Sequence, residues 1–152
     1  MKPNHYIPLI LLILLIFTGG CGDSAPNVSD NLKQQSNLCQ FSQSACTKTV
    51  NNINVKLTIT PESAPSEKPL LVLLNFDNPV SEVHYRLEGR DMFMGVIPGI
   101  VNQTNAQQFE GPLVYGACSS GFMVWRMFVS FKTDDGEHVA IFDFLADNDT
   151  QS

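Results

Sequence analysis

Four sulfur-bearing side chains stand out in the 152-residue sequence. Met92 and Met94 lie two apart in Glu88-Gly89-Arg90-Asp91-Met92-Phe93-Met94-Gly95. Cys118 and Met123 flank Ser119-Ser120-Gly121-Phe122, just ahead of Val124-Trp125. Thioether and thiolate sulfurs are soft ligands that favour Cu(I) over harder divalent ions. Two residues apart on a strand, Met92 and Met94 would share one face. If their strand neighbours that of Met123, the sulfurs of Met92, Met94, Cys118 and Met123 come within reach of one Cu(I) ion. The competing account of the same residues is packing, because Met fills irregular cores and Met123 shares a face with Trp125.

A fifth sulfur carries different chemistry. The chain opens with Lys2, continues with the apolar run Ile7–Phe17, and reaches Thr18-Gly19-Gly20-Cys21. A positive head, a short apolar stretch and small residues before a cut are the plan of a secretory signal. The run would span only ~16 Å as a helix, against a hydrocarbon core of ~30 Å, so it does not read as a membrane span. Residues 1–20 are therefore expected to be a signal peptide. The Gly-Gly-Cys ending resembles the lipobox of bacterial lipoproteins, although Thr18 stands where Leu is usual. That resemblance implies fatty acylation of Cys21 (a palmitate-class anchor) and a periplasm-facing domain in an oxidising compartment. In the same family an Asp directly after the Cys retains the protein in the inner membrane. Here Gly22 follows and Asp23 comes one later, which favours the outer membrane.

Residues 21–38 are rich in Ser, Asn, Asp, Gln and Pro. Such a composition cannot bury a core, and it predicts a flexible tether with a reach of ~20–25 Å. Residues 147–152 (DNDTQS) read as a polar tail.

Residues 39–146 must then form the domain that positions the sulfurs, and they read as strands. Asn54–Thr60 alternates, with Val55, Leu57 and Ile59 on one face. Pro69–Phe76 is a continuous apolar run, the pattern of a buried strand. Val80–Glu88 alternates again. Phe122–Lys132 puts Met123, Trp125, Met127, Val129 and Phe131 on one face, and His138–Leu145 follows after an Asp134-Asp135-Gly136 hairpin signal. Weaker strands fit Phe93–Ile97 and Gln107–Leu113. About seven short strands with regular turns predict an all-β, antiparallel, immunoglobulin-like β-sandwich.

With Cys21 assigned to lipid, Cys39, Cys46 and Cys118 remain. Either Cys39 and Cys46 bridge each other, which is the favoured pairing, or one of them joins Cys118. The spacing is not C-x-x-C, which speaks against a thioredoxin-like role. The order of Gly89-x-x-Met92-x-Met94-Gly95, Phe109-x-Gly111, Trp125 on a long polar-ended strand, the Asp135-Gly136 hairpin and Phe142-x-Phe144 resembles the small envelope domains of the YtkA-like and FixH type. The resemblance covers about Pro69 to Leu145 and implies a role in copper handling. It extends to uncharacterised bacterial lipoproteins with a Cys pair and the same Met-x-Met-Gly. No His stands beside the Met pair, so the set suits Cu(I) and not an imidazole-bound Cu(II).

Other classes fit less well. Lys plus Arg number 9 against 15 Asp plus Glu, a net charge of −6, so no basic surface for nucleic acid is expected. No Gly-x-Ser-x-Gly, His-Glu-x-x-His or Walker loop is present, and the expectation is a non-enzyme. Asp134, Asp135 and Glu137 suit turn chemistry better than Ca²⁺. His84 and His138 read as surface residues. The sequence thus predicts a lipid-anchored binding or assembly module, with Cu(I) as the leading ligand. The alternative is a metal-free module that contacts an envelope protein partner.

Overall fold

The computed structural model describes residues 37–117 and 123–146. They fall in one compact unit, Gln34–Ser152. The expected signal peptide, the expected acylation site Cys21, nearly all of the expected tether, the expected ligand Cys118 and the expected polar tail lie outside the described residues.

Nine strands form in order: β1 (Cys46–Val50), β2 (Ile53–Thr60), β3 (Leu70–Phe76), β4 (Ser81–Gly89), β5 (Val96–Ile100), β6 (Asn102–Asn105), β7 (Gln108–Leu113), β8 (Val124–Thr133) and β9 (Gly136–Leu145). They make two antiparallel sheets, β1-β2-β3-β7-β6 and β5-β4-β8-β9. Apart from the extra edge strand β1, this is the immunoglobulin order ABED facing C′CFG. The architecture is the expected β-sandwich. β1 and β6 are additional to the strands expected, and β5 starts three residues later than Phe93.

Period-two patterning explains which faces meet. Val55, Leu57, Ile59, Val72, Leu74 and Phe109 of the first sheet bury against Leu87, Trp125, Met127, Val129, Phe131, Phe142 and Phe144 of the second. The β3 run is apolar except for Asn75, yet its burial still alternates, with Leu71 exposed. It is a central strand whose outer face carries no second layer among the described residues. The Asp134-Asp135 turn closes the β8–β9 hairpin, with Thr133 opposite Gly136.

The two sheets are stapled along one side. Cys39 and Cys46 are disulfide-bonded, Cα to Cα 5.3 Å. Cys46 belongs to β1 of the first sheet, whereas Cys39 bridges Phe144 of the second and its N–H donates to the Asp143 carbonyl at 2.7 Å. Phe41 packs edge-on against Phe144, ring centroids 5.6 Å apart. The covalent bond therefore connects the sheets as well as closing a small loop.

On the opposite side, Tyr85 of β4 reaches across to donate its hydroxyl proton to the Pro112 carbonyl of β7. Its ring lies where a Cβ on Gly99 would stand, so β5 passes close over it only because residue 99 is glycine. Burial holds the phenol neutral and pushes its pKa from 10.0 to about 12. A raised phenol pKa contributes stability that is complete below pH 10 and lost as pH rises from 10 to 12. Tyr85→Phe should cost about 1 kcal/mol at neutral pH through the lost hydrogen bond. It should also flatten the alkaline fall in stability over that window, as read by urea unfolding across pH. Parallel pH profiles for the two proteins would contradict the assignment.

Candidate functional site

β4 and β8 are neighbours, with Gly89 opposite Trp125, so the segments holding Met92 and Met123 do come together at one end of the sandwich. The meeting differs from the one the sequence suggests. Met92 and Met94 are not on a strand. They sit in the connection between β4 and β5, where Gly95 turns the chain at φ +81° before β5 begins. Their side chains do not alternate in and out: Met92 is 53% exposed, Phe93 86% and Met94 37%. Met123, by contrast, is 7% exposed and belongs to the core.

Gly89 is the hinge of this arrangement. A Cβ there would overlap both the Met92 carbonyl oxygen and the Met123 methyl. The backbone of Met92 thus folds back over the end of β4 and seats against the Met123 side chain because residue 89 has none. Two thioethers, Met92 and Met94, face outward on the loop, and a third lies beneath it. Cys118, the fourth member of the expected set, is outside the described residues.

Salt bridges brace the base of the loop. The Arg90 N–H donates to the Val124 carbonyl at 2.9 Å. Its guanidinium, largely buried, sits 2.8 Å from Asp91 and 3.8 Å from Asp143. Asp143 is held in turn by Arg126, with Nε to Oδ1 at 2.7 Å and Nη2 to Oδ2 at 2.8 Å. This fork-to-fork geometry is the strong form of the Arg–carboxylate pair. The hydrogen bond to Asp143 pushes the Arg126 pKa up. Arg86 stacks over Phe128 at 3.8 Å on the outer face of the same sheet.

Beneath the loop, Trp125 is fully buried against Tyr115, ring centroids 5.1 Å apart. Its indole Nε1 makes no hydrogen bond among the described residues, an uncommon state for a buried donor.

No three His, Cys, Asp or Glu side chains gather to hold a metal ion among the described residues. His84 Nδ1 lies 3.2 Å from the Glu82 carbonyl, and His138 Nε2 lies 3.0 Å from Thr133 Oγ1. Asp135 takes part in turn chemistry, its N–H donating to Thr133 Oγ1 at 3.3 Å. Thr133 and Asp135 line a polar cleft of about 920 Å³ at the far end, with Asn51, Asn78, Glu82, Lys132 and Asp134.

Three features of the loop end were not singled out as functional by sequence reasoning: Phe93 at the tip, Gly89 at the pivot and the Arg90–Asp143–Arg126 cluster. The signal for the first was present. From Met92 to Val101 no residue carries a charged or hydrogen-bonding side chain (MFMGVIPGIV).

No protein-family profile matches the chain, and no curated protein matches it. Among solved structures, the chain is similar to a DUF4785 family protein of Legionella pneumophila subsp. pneumophila str. Philadelphia 1, at 12% identity and a TM-score of 0.46. The match covers 62% of this chain and 28% of that one, so the chain spans well under a third of that protein's length.

Gly89→Ala should force the Met92 backbone or the Met123 side chain aside. The expected cost is about 1–3 kcal/mol, the usual range for overpacking. Urea unfolding measures it, and the methyl resonances of Met92 and Met123 should move together. Unchanged stability with unchanged methyl resonances would contradict the close approach at residue 89.

Proposed function

We propose that the chain is an envelope lipoprotein, anchored through acylated Cys21 and facing the periplasm, that binds Cu(I) and performs no catalysis. The metal ligands are the thioethers of Met92, Met94 and Met123 with the thiolate of Cys118. The observation that carries the reading is the meeting at Gly89, where the Met92 segment seats on Met123 while Met92 and Met94 stay open to an incoming ion. An all-sulfur set with no imidazole nearby favours the monovalent ion. The resemblance of the Met-x-Met-Gly segment to YtkA-like and FixH-type domains points to the same chemistry. The lipobox-like Gly19-Gly20-Cys21 supports the lipid-anchored, periplasm-facing setting, and Gly22 directly after the Cys favours the outer membrane.

A second reading has its own observation. Phe93 is 86% exposed at the loop tip, and exposed apolar side chains mark contact surfaces. In that reading the Met residues only pack, the protein holds no metal, and an envelope protein partner binds here.

Exchanging Met for Leu separates the two, because Leu keeps apolar bulk and removes sulfur. The mature, full-length protein under reducing conditions should retain about one equivalent of Cu(I) against a colorimetric Cu(I) chelator. The double variant Met92→Leu/Met94→Leu should fold normally yet bind about tenfold or more weakly, ~1.4 kcal/mol or more. A wild-type protein that yields all its copper, or a double variant that binds as well as wild type, would overturn the copper assignment. A specific protein that co-purifies whether or not copper is present, with both results negative, would favour the metal-free reading.

A further inference from the structure

We propose that the loop bearing Met92, Phe93 and Met94 seats in the headgroup region of the bilayer that carries the lipid anchor, with Phe93 as the inserted side chain. This rests on the lipoprotein reading of Cys21 and does not require copper binding, although the same loop then holds Met92 and Met94 at headgroup level.

Three observations carry it. The first is exposure. Phe93 is 86% exposed, and Met92 and Val96 beside it are each more than half exposed, a cluster of apolar surface at one loop end. The second is charge. The stretch Met92–Val101 has no ionisable side chain; Arg90 and Asp91 just before it pair at 2.8 Å, and Glu88, opposite Val96 across β4 and β5, pairs with Arg86 at 2.7 Å. Bringing this loop to a membrane surface therefore strips water from no unpaired ion.

The third is where the chain enters the domain. Cys39 donates its N–H to the Asp143 carbonyl at 2.7 Å, and the Asp143 carboxylate lies 3.8 Å from Arg90, at the base of the loop. Cys39 thus lies at the loop end, level with the last residues of β9, and the chain reaches it running parallel to that strand. The tether expected from the composition of residues 21–38 has a reach of ~20–25 Å. A tether of that reach holds the loop at high effective concentration near the lipid surface, so a shallow apolar contact is enough to orient the domain. The polar cleft near Asn51 and Asp134 would then point away from the membrane.

The test uses the full-length acylated protein carrying Phe93→Trp in phosphatidylcholine vesicles, with and without bromine on the acyl chains. Wild type, whose single Trp125 is buried, gives the background. Brominated lipid should quench the position-93 emission about twofold or more, with little effect of salt, as for an apolar contact. The Met92→Leu/Met94→Leu background should preserve that quenching. In the unsubstituted protein on vesicles, backbone amides 91–95 should be protected from hydrogen exchange, and Phe93→Asp should abolish that protection while the acyl chains still float the protein.

Mass spectrometry and flotation keep the two readings apart. An unacylated chain that does not float would sink the anchor and the inference together. An acylated, floating protein whose position-93 emission ignores bromine and remains open to acrylamide would overturn the loop contact alone. Emission that becomes buried without vesicles, in step with protein concentration, would also overturn it and assign the loop to a second copy of the chain.

Discussion

At Gly89 the end of β4, the returning backbone of Met92 and the methyl of Met123 meet in a space with no room for a Cβ. The loop end of the sandwich is organised around that contact. Because the backbone of Met92 is drawn down onto the core there, its side chain and those of Phe93 and Met94 are turned out. Because Met123 closes the core below, the loop rests on a packed layer. Gly89 also lies opposite Trp125, so the pivot is tied by strand pairing to the largest buried side chain in the protein.

Charge fixes what packing begins. Asp143 stands between Arg90 and Arg126, and its backbone carbonyl accepts the N–H of Cys39. One residue thus joins the loop base, the β8–β9 pair and the point where the chain enters the fold. The Cys39–Cys46 bridge then carries the connection to the other sheet. The domain has two unlike ends as a result. One is apolar, sulfur-bearing and next to the chain entry; the other is a polar cleft between hairpin turns. The proposed functions all fall on the first.

Much of the fold was legible in the sequence, and the reason is alternation. Val55, Leu57 and Ile59, or Trp125, Met127, Val129 and Phe131, can face one way only on a strand, and all of them are buried. The edge strand β6 (Asn102–Asn105) has no buried residue and left no apolar signal to read. β1 is likewise an edge strand with only partly buried side chains. The local Cys39–Cys46 pairing, favoured on spacing, is the bond that forms. The loop was harder. A Met-x-Met spacing implies a shared face only if the backbone is extended, and here a close approach at Gly89 and a positive φ at Gly95 make it a turn. Neither could be foreseen from side-chain period, since both depend on what the neighbouring strand brings to the same place.

The central claim is that the outward thioethers of Met92 and Met94 are ligands and not simply apolar surface. Copper K-edge X-ray absorption of the Cu(I)-loaded full-length protein tests it most directly. The account predicts a first shell made of sulfur alone, with fewer sulfur scatterers per copper once both Met residues are replaced by Leu. A shell dominated by nitrogen or oxygen, or one unchanged by those replacements, would contradict it.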